Sequence, residues 1–401
     1  MRKDFVFTSH SVTDGHPDKL CDQISDAIVD RFLQQDSQAS VVAECAISQA
    51  IVFLAVQFGA NLLIDIPNIA RNVINQVGYT GPNFSGKTCT ALTSIQELPL
   101  DTQDRFDEDA LSDEEMDRIK VRNNANCFGF ACDQTPSLMP LPIHLAHKLS
   151  RALSLARIKG TVPYLSPDGK TQVGVEYRDG RPHRIQSIVI QYCPSEDYNL
   201  NLSKKRIQEE LTETVVRPAF DNEPVAPDHK TRIYIRKIYY GHGCGPTAHS
   251  GLTGRKTAVD TYGEYARQSG SALSGKDPRR TDRIGAYAAR YAAKNIVAAG
   301  LARECEVQIT YSIGLSAPAS IQVETFGTGK VEEERLAKAI MKHFPLRPAE
   351  IIRKFRLRKL PREVKGGFYR KLAAYGQVGR TDIGIPWERG DMADLLREEL
   401  L

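Results

Sequence analysis

Four short stretches of this 401-residue chain mix lysine or arginine with aspartate and a glycine or proline turn. They are His16-Pro-Asp18-Lys19, Asp168-Gly-Lys170, Gly251-Leu-Thr-Gly-Arg255-Lys256 and Ser269-Gly-Ser-Ala-Leu-Ser-Gly-Lys276-Asp-Pro278. The last runs into Arg279, Arg280, Asp282 and Arg283. Small residues let backbone amides approach an anion, lysine and arginine supply charge, and a carboxylate such as Asp282 holds a divalent cation. A polyphosphate needs several dispersed cations and a metal before it becomes a leaving group. The pattern therefore points to a polyphosphate with Mg²⁺. His16 opens a helix, where the dipole favours an anion; taken alone it reads as an N-cap or a packed histidine. The 269–278 stretch reads equally as a phosphate cradle or as a flexible loop capping the next helix. Gly81-Pro-Asn-Phe-Ser-Gly-Lys-Thr88 fits the P-loop pattern letter for letter. A P-loop needs a strand before it and a helix after it. Here a helix precedes and a strand follows, so the stretch is a connecting loop.

The elements that must position these groups follow from periodicity. Leu20, Ile24, Ala27, Ile28, Phe32 and Leu33 recur at three- and four-residue spacing and predict a helix over 16–35, with Pro17 in its first turn. Strands are predicted at 40–47, 50–58 and 88–95, and a helix at 64–77 ending at Gly78. A second unit carries helices at 142–158 and 203–216 and strands at 171–177, 184–192 and 231–239. A third has an alanine-rich helix at 281–299, strands at 305–313 and 320–325, and helices near 331–343 and 348–355. The segment 101–118 holds nine acidic residues and predicts a mobile surface loop or a short exposed helix. The basic run 354–365 reads as solvated.

Each third mixes strands and helices, which predicts an α/β (α+β) protein of three similar sandwiches without a literal sequence repeat. The division is 1–125, 126–245 and 246–401. Composition agrees with a globular protein, at 41% hydrophobic and 25% charged residues. A net charge of +4 is too small for a dedicated nucleic-acid binder. The longest apolar run, 50–56, stops at Gln57 and cannot cross a membrane. The N-terminus lacks the apolar core of a secretory signal. Eight cysteines with no CxxC spacing read as buried reduced thiols of a cytoplasmic protein.

TSHSVTDGHPDKLCDQISDAIVD at 8–30, GLTGRKTAVDTYG at 251–263, SGKDPRRTDRIGAYAARYAAKNIVAAGLA at 274–302 and AAYGQVGR at 373–380 resemble S-adenosylmethionine synthetases. The similarity is colinear over essentially the whole chain. It implies three related α/β domains in a pseudo-threefold arrangement and a homodimer or homotetramer with active sites at subunit interfaces. It also implies attack on C5′ of ATP by a small nucleophile, with tripolyphosphate released and hydrolysed. By position, His16 matches the residue that stabilises the leaving triphosphate. Asp18 and Asp282 match the Mg²⁺ carboxylates, and Glu44 the K⁺ ligand. Lys170, Arg255, Lys256 and Lys276 match the phosphate-gripping cations, while Asp168 and Ala272 match further ATP contacts.

The acceptor half departs from the family pattern. Gln57 replaces a glutamate, Asn123 an aspartate, His249 another aspartate and Arg280 a lysine. The methionine-pocket glutamine falls near Glu97–Leu98, the adenine-stacking phenylalanine aligns with Gly241 beside Tyr239 and Tyr240, and the glutamate of TSES is His10. An amide cannot hold an ammonium as a carboxylate does, at a loss of about 1.5–3 kcal/mol per charged hydrogen bond. These changes imply intact phosphate machinery with a retuned acceptor pocket, for methionine or for a less cationic nucleophile. The alternatives are a triphosphate hydrolase and a non-catalytic regulatory paralogue.

Overall fold

The computed structural model describes residues 4–100, 105–195, 202–238 and 243–401. Three successive units share one order of elements. The first is β1 (Phe5–Val12), α1 (Pro17–Gln35), β2 (Ser40–Ser48), β3 (Ile51–Gly59), α2 (Ile66–Val77) and β4 (Thr90–Glu97). The second is β5 (Ala125–Cys132), α3 (Leu141–Ile158), β6 (Leu165–Arg178), β7 (Arg181–Pro194), α4 (Lys204–Leu211) and β8 (Arg232–Lys237). The third is β9 (Gly251–Leu252), α5 (Thr281–Ala298), β10 (Glu304–Tyr311), β11 (Ser320–Glu324) and α6 (Glu333–His343).

The predicted elements form at nearly the predicted places. The helix expected over 203–216 ends its α-turns at Leu211 and continues as a wider π-turn over Thr212–Val216. Three strands, β1, β5 and β9, were not predicted, and they close the architecture. Each leaves its own unit: β1 pairs antiparallel with β6, β5 with β10, and β9 with β2. The sheets are therefore β1-β6-β7-β8, β11-β10-β5 and β4-β3-β2-β9. Every unit lends its first strand to another in a closed cycle, so each sheet crosses the sequence divisions at 125/126 or 245/246.

One long helix covers each sheet: α1 on β2, α3 on β6 and β1, α5 on β5 and β10. Close approach explains one glycine. A Cβ on Gly129 of β5 would lie 2.1 Å from the Ala289 carbonyl oxygen of α5. Only a hydrogen there lets that helix lie on its strand.

The buried face of α1 carries aspartates as well as the predicted aliphatic residues. Asp18, Asp22, Asp26 and Asp30 recur every four residues, and each is at most 3% exposed. They accept backbone N–H groups of distant loops: Leu252 at 3.0 Å, Gly254 at 2.7 Å, Gly275 at 2.8 Å, and Phe368, Tyr369 and Arg370 at 2.9–3.0 Å. Cations pair with three of them. Lys256 meets Asp18, Lys19 meets Asp22 and Asp260, and the wholly buried Arg283 grips Asp26 with two bonds of 2.7 and 2.9 Å. Burial lowers the proton affinity of Lys19, but Asp22 and Asp260 outweigh it and keep the ammonium charged. Arg283 also donates to the Tyr287 hydroxyl, which donates to Gln377, whose amide reaches Ser274. That chain gives the AAYGQVGR stretch a structural role.

Two expectations are corrected and one holds in part. The basic run 354–365 is not simply solvated: Arg358 is 1% exposed, pairs with buried Glu108 at 3.0 Å and lies over the Phe106 ring. The acidic segment does form the short exposed helix that was one of its two readings, at Asp113–Met116. It is tied down, however, at buried Glu108 and by Arg347 bonding Asp113 and Asp117 and Lys359 bonding Asp109; residues 101–104 lie outside the described residues. Only six of the eight cysteines are free and buried, because the end of β7 brings Cys193 within 6.0 Å (Cα–Cα) of Cys244 and the two form a disulfide.

Asp26→Asn should cost about 3–5 kcal/mol in urea unfolding, because it strands a buried guanidinium. A loss below 1 kcal/mol would show that the pair is not needed. A second expectation concerns pH. Burial, then Arg380 and His144, push His147 down to about 3, so it is neutral in the fold. The unfolded chain protonates it below about pH 6.5. Its contribution is complete above that pH and is lost as pH falls toward 3. Between pH 6 and 4, His147→Gln should flatten the stability slope by about 1.4 kcal/mol per pH unit; an unchanged slope would contradict this.

Candidate functional site

The groups cluster at two poles along α1. The first pole lies at its N-terminus. His16 is the N-cap, and its Nδ1 accepts the Asp18 N–H at 3.2 Å, which satisfies one orphan amide of the first turn. That bond leaves the ring's proton on Nε2. Burial, then Lys256, His249, Lys170 and Lys19, hold His16 well below the usual imidazole range, so it is neutral at pH 7. Asp168 on β6 is buried, with Oδ2 2.9 Å from His249 Nε2 and 3.2 Å from the Gly245 amide. Its Oδ1 is buried without a partner. His16 and His249 stand edge to face with ring centroids 5.0 Å apart. Among the described residues His16, Asp168 and His249 form the one group with convergent metal-ligand spacing.

The Gly251–Lys256 turn is stitched down onto this pole. Beyond the Asp18 and Asp22 bonds, Thr253 Oγ1 meets Ser25 at 2.7 Å and the Cys45 amide at 2.9 Å. Lys256 Nζ then lies 2.6 Å from Asp18 Oδ2, and exposed Arg255 3.8 Å from Oδ1. Ala272 packs against the turn; a Cβ on Gly254 would lie 2.3 Å from its own. Lys170 sits opposite Val12 in the β1–β6 register.

The second pole surrounds Asp26, eight residues and about 12 Å along the helix. Here Lys276 Nζ bonds Asp282 Oδ2 at 3.0 Å, and Lys276 pairs with Val42 on β2. The glycine-rich 269–278 stretch is packed onto α1 and β2 around Gly275: the Gly275 amide bonds Asp26, its carbonyl accepts the Ala43 amide, and the Asp277 amide bonds the Val41 carbonyl. Gly275 has φ +79°, and a Cβ there would lie 2.0 Å from the Ala43 carbonyl oxygen. The Gly81–Thr88 loop joins α2 to β4 as expected, and the Gly86 amide is spent on Asn75.

The outer face of β4-β3-β2-β9 carries further predicted positions. One row across it reads Gln96, Gln57, Val42 and Lys276. Two strand spacings, about 10 Å, separate Gln57 from Lys276. The exposed Gln57 amide donates to Gln96 at 2.9 Å, and Glu44 is exposed on the same face. The row Leu92, Phe53, Ala46 and Leu252 is apolar, its three large side chains 43–48% exposed. Asn123 is exposed in the segment before β5. Among the described residues Asp18, Asp282 and Glu44 do not converge on one point, whereas His249 joins the first pole. Tyr239, Tyr240 and Gly241 lie outside the described residues. Sequence reasoning missed Asp22 and Asp26; their four-residue spacing after Asp18 was the available signal.

Comparison with known proteins decides the family. The profiles of the S-adenosylmethionine synthetase N-terminal, central and C-terminal domains match residues 4–99, 118–239 and 243–389. The chain belongs to the S-adenosylmethionine synthetase family. It is 46% identical over 407 residues to the S-adenosylmethionine synthase of Synechococcus sp. (strain JA-3-3Ab), covering 98% of each chain. The one from Gloeothece citriformis (strain PCC 7424) is 45% identical over 412 residues, covering 99% of this chain and 98% of its own. As a member, the chain is an α/β enzyme of three related domains and an adenosyltransferase. No helix among the described residues is long and apolar enough to cross a membrane.

Gly275→Ala should destabilise the protein by about 1–3 kcal/mol through its positive φ. Displacement of the neighbouring Lys276 should also raise the KM for ATP severalfold. A variant matching the parent in both urea midpoint and KM would contradict this placement.

Proposed function

We propose that the chain transfers the 5′-adenosyl group of ATP to the sulfur of methionine or a methionine-like small nucleophile. It then hydrolyses the released tripolyphosphate to pyrophosphate and phosphate. The observation that carries the reading is the first pole: a buried neutral imidazole with Nε2–H available, near Lys256 and Lys170, with Arg255 at Asp18 on the same turn. A sulfur lone pair attacks C5′, the C5′–O electron pair leaves with the triphosphate, and no enzyme-bound intermediate forms. His16 Nε2–H donates to the departing oxygen, while Lys170, Arg255, Lys256 and Lys276 neutralise the phosphates. Fixed donors of this kind need no reorganisation as charge develops. Asp168 Oδ1, buried and unpartnered, and Ala272 face the nucleoside.

Asp18 and Asp282 offer hard carboxylate oxygens that fit Mg²⁺ carried on substrate phosphates, and Glu44 offers one for K⁺. When bound, Mg²⁺ withdraws negative charge from the leaving group. Exposed apolar side chains beside Glu44 and Gln57 support a second copy of this chain on the outer face of β4-β3-β2-β9, with active sites at the interface of a homodimer or homotetramer. ATP and K⁺ as substrate and activator fit a cytoplasmic enzyme, in which Cys193–Cys244 is open to reduction.

The test is incubation with ATP, Mg²⁺ and K⁺, with and without methionine, and product identification by mass spectrometry. An adenosylated sulfonium product supports the reading. Phosphate release with no adenosylated product from any thioether would point to triphosphate cleavage alone. Separately, His16→Asn keeps a capping side chain and His16→Ala loses one, at about 1 kcal/mol. Both should lose turnover by at least about 10²-fold, and normal turnover in His16→Asn would remove His16 from the mechanism.

A further inference from the structure

A cavity of about 550 Å³ opens beside the start of β2 and the ends of β3 and β4. Among the described residues four guanidinium groups line it, from Arg105, Arg122, Arg279 and Arg280, and no carboxylate does; residues 101–104, between the lining residues Leu100 and Arg105, lie outside the described residues. Arg105 bonds Asp36 through both nitrogens, and Arg279 bonds buried Asp277, both counter-charges lying outside the lining. Arg280 is half-buried at the head of α5; its backbone is bonded to Asp277, Arg283 and Ile284, while its guanidinium has no hydrogen-bond or ion-pair partner among the described residues. Leu98 and Pro99 supply an apolar wall. Ser40 and Gly59, also in the lining, pair across β2 and β3 one row beyond Val42 and Gln57. The cavity thus adjoins the Gln57–Lys276 row, within reach of a nucleotide held by Lys276.

The polarity of this place is one-sided. A free amino acid brings an ammonium as well as a carboxylate. Gln57 has its amide engaged with Gln96, Asn123 is neutral, and His249 is turned to Asp168 at the first pole. None of the three gives an ammonium a counter-charge, while Arg280 offers a carboxylate a planar two-pronged donor.

Resting on the adenosyl-transfer reading, we propose that this cavity seats the acceptor and selects a thioether that carries a carboxylate and no ammonium group. The thioether sulfur attacks C5′ and becomes a sulfonium, the C5′–O electron pair departs with triphosphate, and no proton moves. Arg280 pairs with the carboxylate and sets the distance of the sulfur from C5′.

The experiment compares kcat/KM of the full-length enzyme, with ATP, Mg²⁺ and K⁺, for methionine, N-acetylmethionine and 3-(methylthio)propanoate. The last two keep the sulfur and the carboxylate but lack the ammonium. The ratio of N-acetylmethionine to methionine should exceed one, by about tenfold; a ratio of one or less overturns the proposal and leaves adenosyl transfer standing. If none of the three is adenosylated, the underlying reading falls with it. Arg280→Gln should raise KM for N-acetylmethionine about tenfold with little change in kcat. Equal KM values in variant and parent would overturn the assignment of Arg280. Restoring the family's carboxylates with Gln57→Glu and Asn123→Asp should move the ratio toward methionine, and an unmoved ratio counts against the proposal.

Discussion

The structure hangs on a ladder of buried aspartates along one helix face. Asp18, Asp22, Asp26 and Asp30 hold backbone amides from residues 252, 254, 275 and 368–370, so three distant loops take their positions from α1. A buried carboxylate is tolerated only when its charge is matched and its oxygens are bonded. Lys256, Lys19 and Arg283 match three of the charges; three backbone N–H bonds satisfy the fourth. The arrangement stores no spare flexibility. Moving a loop would leave both an amide and a carboxylate unsatisfied in the interior.

The ladder also explains how cations from two loops come to lie along one helix. Lys256 and Lys276 lie on two loops 20 residues apart, each docked by its own or a neighbouring residue to a rung of the same helix. The rungs Asp18 and Asp26 are about two helical turns apart. His16 caps that helix, so under the proposed mechanism the leaving-group donor and the phosphate-gripping cations share one rigid reference. Catalysis by alignment and charge neutralisation requires such a reference more than it requires a reactive side chain.

Much of this was legible in the sequence. The apolar periodicity of α1, the stop at Gly78 and the alanine-rich α5 follow from local rules, and local rules read well where one face is strongly apolar. The four charged stretches were legible too, since glycine beside lysine and aspartate has few purposes. Strand exchange was not legible. β9 has only two residues, and nothing local in Phe5–Val12 says that it pairs with β6 more than 150 residues away. The acidic 101–118 and basic 354–365 runs each looked solvated in isolation; Glu108 and Arg358 bury each other only after folding brings them together. The disulfide escaped for the same reason, as Cys193 and Cys244 are 51 residues apart. The substitutions at Gln57, Asn123 and His249 and their shared direction were legible in the sequence, but the arginine-lined cavity beside Gln57 was not, because it is assembled from β2, β3, β4 and the head of α5.

The central claim is that both poles of α1 grip one polyphosphate. A crystal structure of the enzyme with tripolyphosphate and Mg²⁺ tests it most directly. The account predicts phosphate oxygens within hydrogen-bonding distance of His16 Nε2, Lys256 Nζ and Lys276 Nζ around a single bound anion. An anion seated instead on the Gly81–Thr88 loop, or at one pole with the other empty, would contradict it.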